Sequence, residues 1–482
     1  MLFLFGVFNL SSAVEVTFLY WGDRHSRNLP SYEVIDGAML EVGGAGALSG
    51  MVNAMRGDDS RTLVFVAGGE FGGAPISVLT KGVSQVKLLN SIGIDAMTPG
   101  EHEYDYGWRS LQEVMAKANF PVLLANVINN ETSEPLFVPD TVFILPGIKI
   151  GVIGLIDPDF KSAVIRSGVL GIEGFEPAGY VREFVSRRRE DCDILVALTC
   201  LDWEMDSLLA AGSKGLDIII GRSDSIPFDS LRVVNDVIIV RSGADGKWLG
   251  RLSVEVDTGD GGIVNHHAAM LHVEPDAVPV DKKVDRLARK LEKKHTKILN
   301  HRIGTLQADW NLEYDKSCNL AQWAADVMHE VSPSAGLAVI NHGNLMKGLP
   351  AGPIMEKDIW EICPYDYPIV VFQISGVELI TILRRAVVAS GEFITWSGLI
   401  LRAEDGELVD SRINGVPIDW KEDYAVVATG YFWDNLKYLL RLSKVDRPHF
   451  YLPEANQREI FIKAIESKRI ISTPPDDRWI VR

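Results

Sequence analysis

The sequence predicts a two-domain α/β protein, and three observations predict it. Short apolar, β-branched runs alternate with helical patterns through the first half of the chain. A Pro-containing stretch, Val273-Glu274-Pro275-Asp276-Ala277-Val278-Pro279, then interrupts the pattern and leads into an amphipathic helix. A second mixed α/β region follows it to the end of the chain. At 482 residues, 47% of them hydrophobic, the chain is too long for one ordinary domain and apolar enough to pack two cores.

The elements can be justified in order. Met1–Phe8 is apolar and leads through Asn9-Leu10-Ser11-Ser12-Ala13, a run too short to span a bilayer. It has the core and small-residue exit of a secretory signal peptide over residues 1–13, without the usual basic start, and implies a secreted or periplasmic protein. The alternative is a buried first strand merging with Val14–Trp21. Strands are predicted at Val14–Trp21, Thr62–Ala67, Val122–Ala125, Ile148–Leu155, Ile194–Thr199, Ile218–Ile220 and Val237–Val240. Helices are predicted between them, as at Ser84–Ser91 and Leu111–Ala118. Over Asp281–Asn300, Val284, Leu287, Leu291 and Ile298 recur at helical spacing among charges, which predicts a connecting helix with a solvated basic face. The domain expectation is therefore 14–275, a linker over 276–310, and 311–482.

Bulk properties exclude some functions. Lys plus Arg number 48 against 65 Asp plus Glu, a net charge of −17. That balance disfavours nucleic acid and anionic lipid as partners. No run predicts an integral membrane segment. An anionic small molecule would need a local cation, either a metal or clustered Arg. The four cysteines, Cys192, Cys200, Cys318 and Cys363, form no CxxC pair and leave one disulfide or none equally open.

In open α/β sheets functional groups gather beyond the carboxyl ends of strands. Those positions read Gly22-Asp23-Arg24-His25, then Gly68-Gly69-Glu70-Phe71-Gly72-Gly73, then Gly100-Glu101-His102-Glu103-Tyr104-Asp105-Tyr106-Gly107. Thr199 is followed by Cys200, and Ile220 by Gly221-Arg222-Ser223-Asp224-Ser225. This order resembles the metallophosphoesterase domain of 5'-nucleotidases and UDP-sugar hydrolases: D-x-H, G-D, G-N-H-E-x-D-Y-G, T-H, and G-H-x-H or G-H-x-Q. Ile76–Gly107 is especially similar. Leu349-Pro350-Ala351-Gly352-Pro353-Ile354 and Ser375-Gly376-Val377-Glu378-Leu379 resemble that family's C-terminal domain. The resemblance covers nearly the whole chain. It implies a layered α/β/β/α N-terminal domain, a linker helix and a mixed α/β C-terminal domain.

The family's chemistry needs two metal ions about 3.5–4 Å apart, held by carboxylates and neutral imidazoles. By resemblance, Asp23 and His25 retain the first two ligand positions. Gly69 stands in place of the bridging Asp, Glu101 in place of the Asn, and Cys200 in place of the His at the Leu-Thr strand end. The last two ligands fall on Ser223 and Ser225. No histidine lies between His102 and His266, so a shift of register does not recover them. His102 and Asp105 match the catalytic dyad. Positioned acid–base catalysis supplies roughly 10²–10⁴-fold, whereas phosphate monoester hydrolysis can require up to about 10²¹. A single altered site for Zn or Mn remains conceivable from Asp23, His25, Glu101 and Cys200, with Glu70 and Asp224 nearby.

In the second domain Asn341-His342-Gly343-Asn344-Leu345-Met346 stands where the family has N-x-G-G-x-R, so Met346 replaces the phosphate-binding Arg. Tyr365 and Phe432 stand at the places of the two aromatics that sandwich the base, with core packing as the alternative. Three functions follow as expectations: a ligand- or partner-binding relative unable to run standard dinuclear hydrolysis, a hydrolase of nucleotides or another phosphoester with a remodelled metal site, or a structural role with an empty cleft. A nucleotide or other small molecule is the expected ligand.

Overall fold

The computed structural model describes residues 13–481 apart from 36–37, 58–59, 165, 225–230, 258, 260–261, 365–366, 389–393, 446 and 473–477. The expected leader, Ser225 and Tyr365 lie outside the described residues. The chain forms two compact units, one ending at Lys294 and the next beginning at His295.

The first unit is built on two sheets. Its strands are β1 (Ala13–Trp21), β2 (Thr62–Ala67), β3 (Ala96–Thr98), β4 (Asp140–Leu145), β5 (Ile148–Ile156), β6 (Ile194–Cys200), β7 (Ile218–Asp224), β8 (Arg232–Val234), β9 (Val237–Gly243), β10 (Trp248–Asp257) and β11 (Gly262–His272). One sheet has the order β11-β10-β1-β2-β3 and the other β8-β9-β7-β6-β5-β4. Strands β1, β2 and β3 are parallel, as are β5, β6, β7 and β9. Val16–Trp21 and all of β2 are buried on both faces, which is why they read as continuous apolar runs.

Phe18, Tyr20, Phe65, Val152, Val196, Leu198 and Ile220 form the core shared by the two sheets. On the opposite face of the first sheet, Leu19, Trp21, Val64 and Val66 pack with the helices α1 (Ala45–Arg56), α2 (Val83–Ile92) and α3 (Trp108–Met115). On the opposite face of the second, Leu195, Ala197 and Ile219 pack with α4 (Pro177–Arg188) and α5 (Trp203–Gly212). The result is the layered α/β/β/α arrangement expected from the sequence. No helix among the described residues is long and apolar enough to cross a membrane.

Most predicted strands form within a residue or two of their predicted ends. Val122–Ala125 does not form a strand. Its amides are divided among different neighbours: Leu123 N–H bonds Met97, Leu124 bonds Val138 and Ala125 bonds Gly154. This extended segment runs close against β5, where a Cβ on Gly154 would lie 2.1 Å from the Leu123 carbonyl oxygen. Only glycine fits there. Helix α3 starts at Trp108, three residues before its predicted start, because Trp108, Leu111, Val114 and Met115 together make its buried face. Following β11 in the chain, α6 (Lys282–Leu299) is the expected amphipathic helix, with Val284 and Ala288 buried.

The second unit carries a five-stranded sheet. Its strands are β12 (Leu337–Asn341), β13 (Pro368–Ser375), β14 (Ile394–Ser397), β15 (Asp423–Thr429) and β16 (His449–Asn456), in the order β14-β12-β15-β13-β16. Helices α7 (Asn319–Val331), α8 (Gly376–Val388), α9 (Gly430–Asp434) and α10 (Gln457–Lys468) accompany it. One core sets α7 and α10 with Ala338 and Ile340; another sets α8 and α9 with Val339, Val370 and Phe372. The mixed α/β character is as predicted.

Candidate functional site

The cleft of the first unit lies where β1, β2, β3, β6 and β7 end. Parallel pairing aligns the ends within each sheet, and the packing of the two sheets brings them together: a Cβ on Gly22 would lie 3.3 Å from Ser223 N. Two loops form its floor. Asp23 N–H bonds the Gly68 carbonyl at 2.9 Å, His25 N–H that of Gly69 at 2.9 Å, and Ser26 N–H that of Glu70 at 3.0 Å. The pairing holds Asp23 and His25 at φ of 46° and 50°. Left-handed backbone at a non-glycine residue costs on the order of 1 kcal/mol and persists only where surroundings enforce it.

Two buried acids secure this floor. Glu103 accepts four backbone N–H groups: Gly69 at 2.9 Å, Glu70 at 2.7 Å, Phe71 at 2.9 Å and Gly100 at 2.7 Å. Burial pushes its carboxyl up to about 7 against those four bonds, which favour the ionised form. Glu70 accepts the Trp21 indole N–H at 2.7 Å and the Arg24 guanidinium at 2.8 and 2.5 Å. With these partners and no solvent exposure, Glu70 is a structural acid and stands outside any ligand set.

The expected site residues do come together. The His25 and His102 rings meet edge to face with centroids 5.2 Å apart. His102 Nδ1 lies 3.3 Å from Asp105 Oδ2. Burial alone would lower the His102 imidazole; the Asp105 carboxylate and its hydrogen bond outweigh burial and hold it at about 9. At that value the His102 ring is protonated near neutral pH. His25 Nδ1 faces Asp245 Oδ1 at 3.3 Å, and Asp245 also takes Arg27 at 3.0 Å and Lys247 at 3.3 Å.

The remaining ligand positions have found other partners. Asp23 Oδ2 accepts the Ser223 hydroxyl at 2.5 Å, and its carboxyl is raised by burial, with His25 and Ser223 pulling the other way. Glu101 Oε1 takes the Arg222 guanidinium at 2.8 Å. Burial works to raise Glu101, but Arg222 and His102 outweigh it and keep it below the usual range. Cys200 is sealed at the end of β6 with its thiol 3.6 Å from Glu101 Oε2. Burial, then the Glu101 and Asp23 charges, push this thiol well above its ordinary value, so it is a neutral S–H rather than the thiolate a soft metal requires.

These residues do not fit a pair of metal ions. Gly69 offers no shared carboxylate, and a Cβ there would lie 2.1 Å from Asp23 Oδ1. Asp23 therefore fills the space a bridging side chain would need. Among the described residues no group of three or more His, Cys, Asp or Glu side chains is placed to hold a metal.

Two cleft residues escape sequence reasoning. Arg222 was visible as a cation at a strand end in a cleft short of ligands. What the sequence does not contain is the irregularity in β7 pairing between Gly221 and Asp224, which lies at Arg222 and Ser223. Asp245 sits in the β9–β10 turn, 220 residues from His25, and no local signal marks it.

In the second unit, Asn341 ends β12 and is buried. Phe432 does not offer a stacking face. It has no exposed surface and packs in the core with Phe372, Trp433 and Leu436, because α9, capped by the Thr429 hydroxyl, turns it inward. Met346 is exposed and brings no charge, and Lys347 pairs with Glu361.

The class is thus a two-unit protein that joins a metallophosphoesterase-like α/β/β/α unit to a mixed α/β nucleotidase-type unit. Residues 302–437 match the family "5'-nucleotidase, C-terminal domain". The chain is 24% identical over 459 residues to a 5'-nucleotidase of Vibrio cholerae, covering 83% of this chain and 81% of that one. It is 25% identical over 481 residues to protein UshA of Escherichia coli, covering 86% and 85%. The crystal structure of a 5'-nucleotidase precursor from Thermus thermophilus superposes with a TM-score of 0.77 at 21% identity, over 97% of this chain and 99% of that one, which establishes the common fold. Residues 302–437 thus carry the 5'-nucleotidase C-terminal domain, and nearly the whole chain is similar to 5'-nucleotidases.

Proposed function

We propose that this protein does not carry out dinuclear-metal phosphoester hydrolysis and acts as a binding relative of the 5'-nucleotidases, for a nucleotide, another small molecule or a protein partner. The observation that carries this reading is the Arg222–Glu101 ion pair, a protein cation bonded to a carboxylate at a metal-ligand position. A guanidinium neutralises that carboxylate but cannot lower the pKa of a bound water as a metal ion does. The reading also takes the protein to be secreted or periplasmic, on the apolar start of the chain; fractionation of cells expressing the full chain would test that.

Purified protein is expected to release no phosphate from AMP, UDP-glucose or p-nitrophenyl phosphate with Mn²⁺ or Zn²⁺ supplied, and to carry no stoichiometric metal by elemental analysis of the same sample. Turnover abolished by EDTA, with close to two equivalents of metal, would reject it. The retained His102–Asp105 pair favours a second reading, a metal-dependent hydrolase of nucleotides or another phosphoester with a remodelled site. It requires Arg222 to withdraw so that Asp23, His25, Glu101 and Cys200 can take one Zn or Mn ion. One equivalent of metal together with turnover would favour it.

A further inference from the structure

A cleft without a two-ion ligand set still has carboxylates to neutralise. Asp23 is buried, and the charge of Glu101 disfavours its ionisation. Uncompensated buried charge is costly, so such acids need a cation or a proton. Arg222 supplies the cation: its Nη1 donates to Glu101 at 2.8 Å and its charge also acts on Asp23.

Arg222 is not sealed by this role. Its side chain keeps 31% of its surface exposed, against 1% for the structural Arg24. A guanidinium has five N–H donors; Nη1 alone bonds Glu101, and the Cys200 side chain is a second partner of the group. The other acids around it are matched: Asp105 by His102, and Asp245 by Arg27 and Lys247. Asp23 is satisfied by the Ser223 hydroxyl, with the His25 ring 3.9 Å away. Each of these carboxylates thus has a partner in the cleft. Within it Arg222 presents a planar fork suited to a tetrahedral oxyanion.

We propose that Arg222 is the resident cation of this cleft and the anchor of a metal-independent oxyanion site, which takes inorganic phosphate, sulfate or a phosphomonoester. The proposal rests on the reading that dinuclear hydrolysis is absent. The anion is held by Arg222, with the His25 and His102 rings beside it, and is not cleaved.

Calorimetric titration of inorganic phosphate into the full-length protein in excess EDTA is expected to show saturable binding, with sulfate competing. Arg222→Gln should weaken it by about tenfold or more, the scale of one charge-assisted hydrogen bond, with an unchanged circular dichroism spectrum. Arg222→Lys, which keeps charge and loses the fork, should fall between. No binding in EDTA, or equal binding by wild type and Arg222→Gln, overturns the oxyanion site and leaves the absence of hydrolysis standing. Binding that appears only with Mn²⁺ overturns the site as well; if p-nitrophenyl phosphate is then also cleaved, both readings fall. If Arg222→Gln does not fold, Arg222→Lys decides: unchanged affinity overturns the anchor, and a several-fold loss supports it.

Discussion

Glu103 lies two residues from Glu101 at the cleft's rim, yet Glu103 on one side and Asp23 and Glu101 on the other are bound to different kinds of partner. Glu103 is held by four backbone N–H groups. Asp23 and Glu101 are held by Ser223 and Arg222, side chains that reach them from β7. A carboxylate bonded to main chain cannot be replaced without releasing the loop it ties down. One whose family role is to hold a soluble ion can be satisfied by any neighbouring donor. The difference separates two requirements on the same loops: the backbone sets the first, and a bound ion would set the second.

The largest test of that contrast is Glu103→Ala. It leaves four buried N–H groups without an acceptor and should cost about 3–5 kcal/mol, read as a lower denaturant midpoint or failure to recover folded protein. A loss under 1 kcal/mol would break the contrast. Next is Gly69→Asp, which restores a carboxylate at the shared-ligand position. Gly69 has φ of 68° and its Cβ would press on Asp23, so the variant should lose about 2 kcal/mol and gain no metal. Stoichiometric Mn²⁺ in that variant by elemental analysis would show that the cleft had needed only one group. The smallest effect belongs to an ion pair in the second unit. The Arg447 hydrogen bond outweighs partial burial and holds Glu378 down at about 2. A depressed acid stabilises the fold above its unfolded pKa of about 4.3 and loses that contribution as pH falls through its folded value. The melting-temperature gap between wild type and Glu378→Gln should therefore be full near neutral pH and close between pH 4 and 2. A gap independent of pH would show that this pair does not follow simple charge pairing.

Much of the fold was legible because its central strands are buried on both sides and so read as unbroken apolar runs. The edge strand β11 was not, since Asn265, His266 and His267 face solvent and dilute its pattern. Val122–Ala125 misled for the opposite reason: it is apolar because it runs between layers, not because it pairs in a ladder. The missing ligands at Gly69, Cys200 and Ser223 were readable, since a resemblance fixes what should stand there. Their replacements were not. Ser223 meets Asp23 across 200 residues and Arg222 meets Glu101 across 121, and neither distance leaves a trace in local sequence. Phe432 shows the limit on the ligand side, because an aromatic in the right place in sequence can still turn into the core.

The four thiols carry a consequence of their own. Cys192, Cys200, Cys318 and Cys363 are each buried and none is bridged. The fold described is therefore held without a disulfide and places no demand of its own on an oxidising compartment. A chain made inside a bacterial host should reach the same folded product as an exported one, and reductant added during purification should leave its melting curve unchanged.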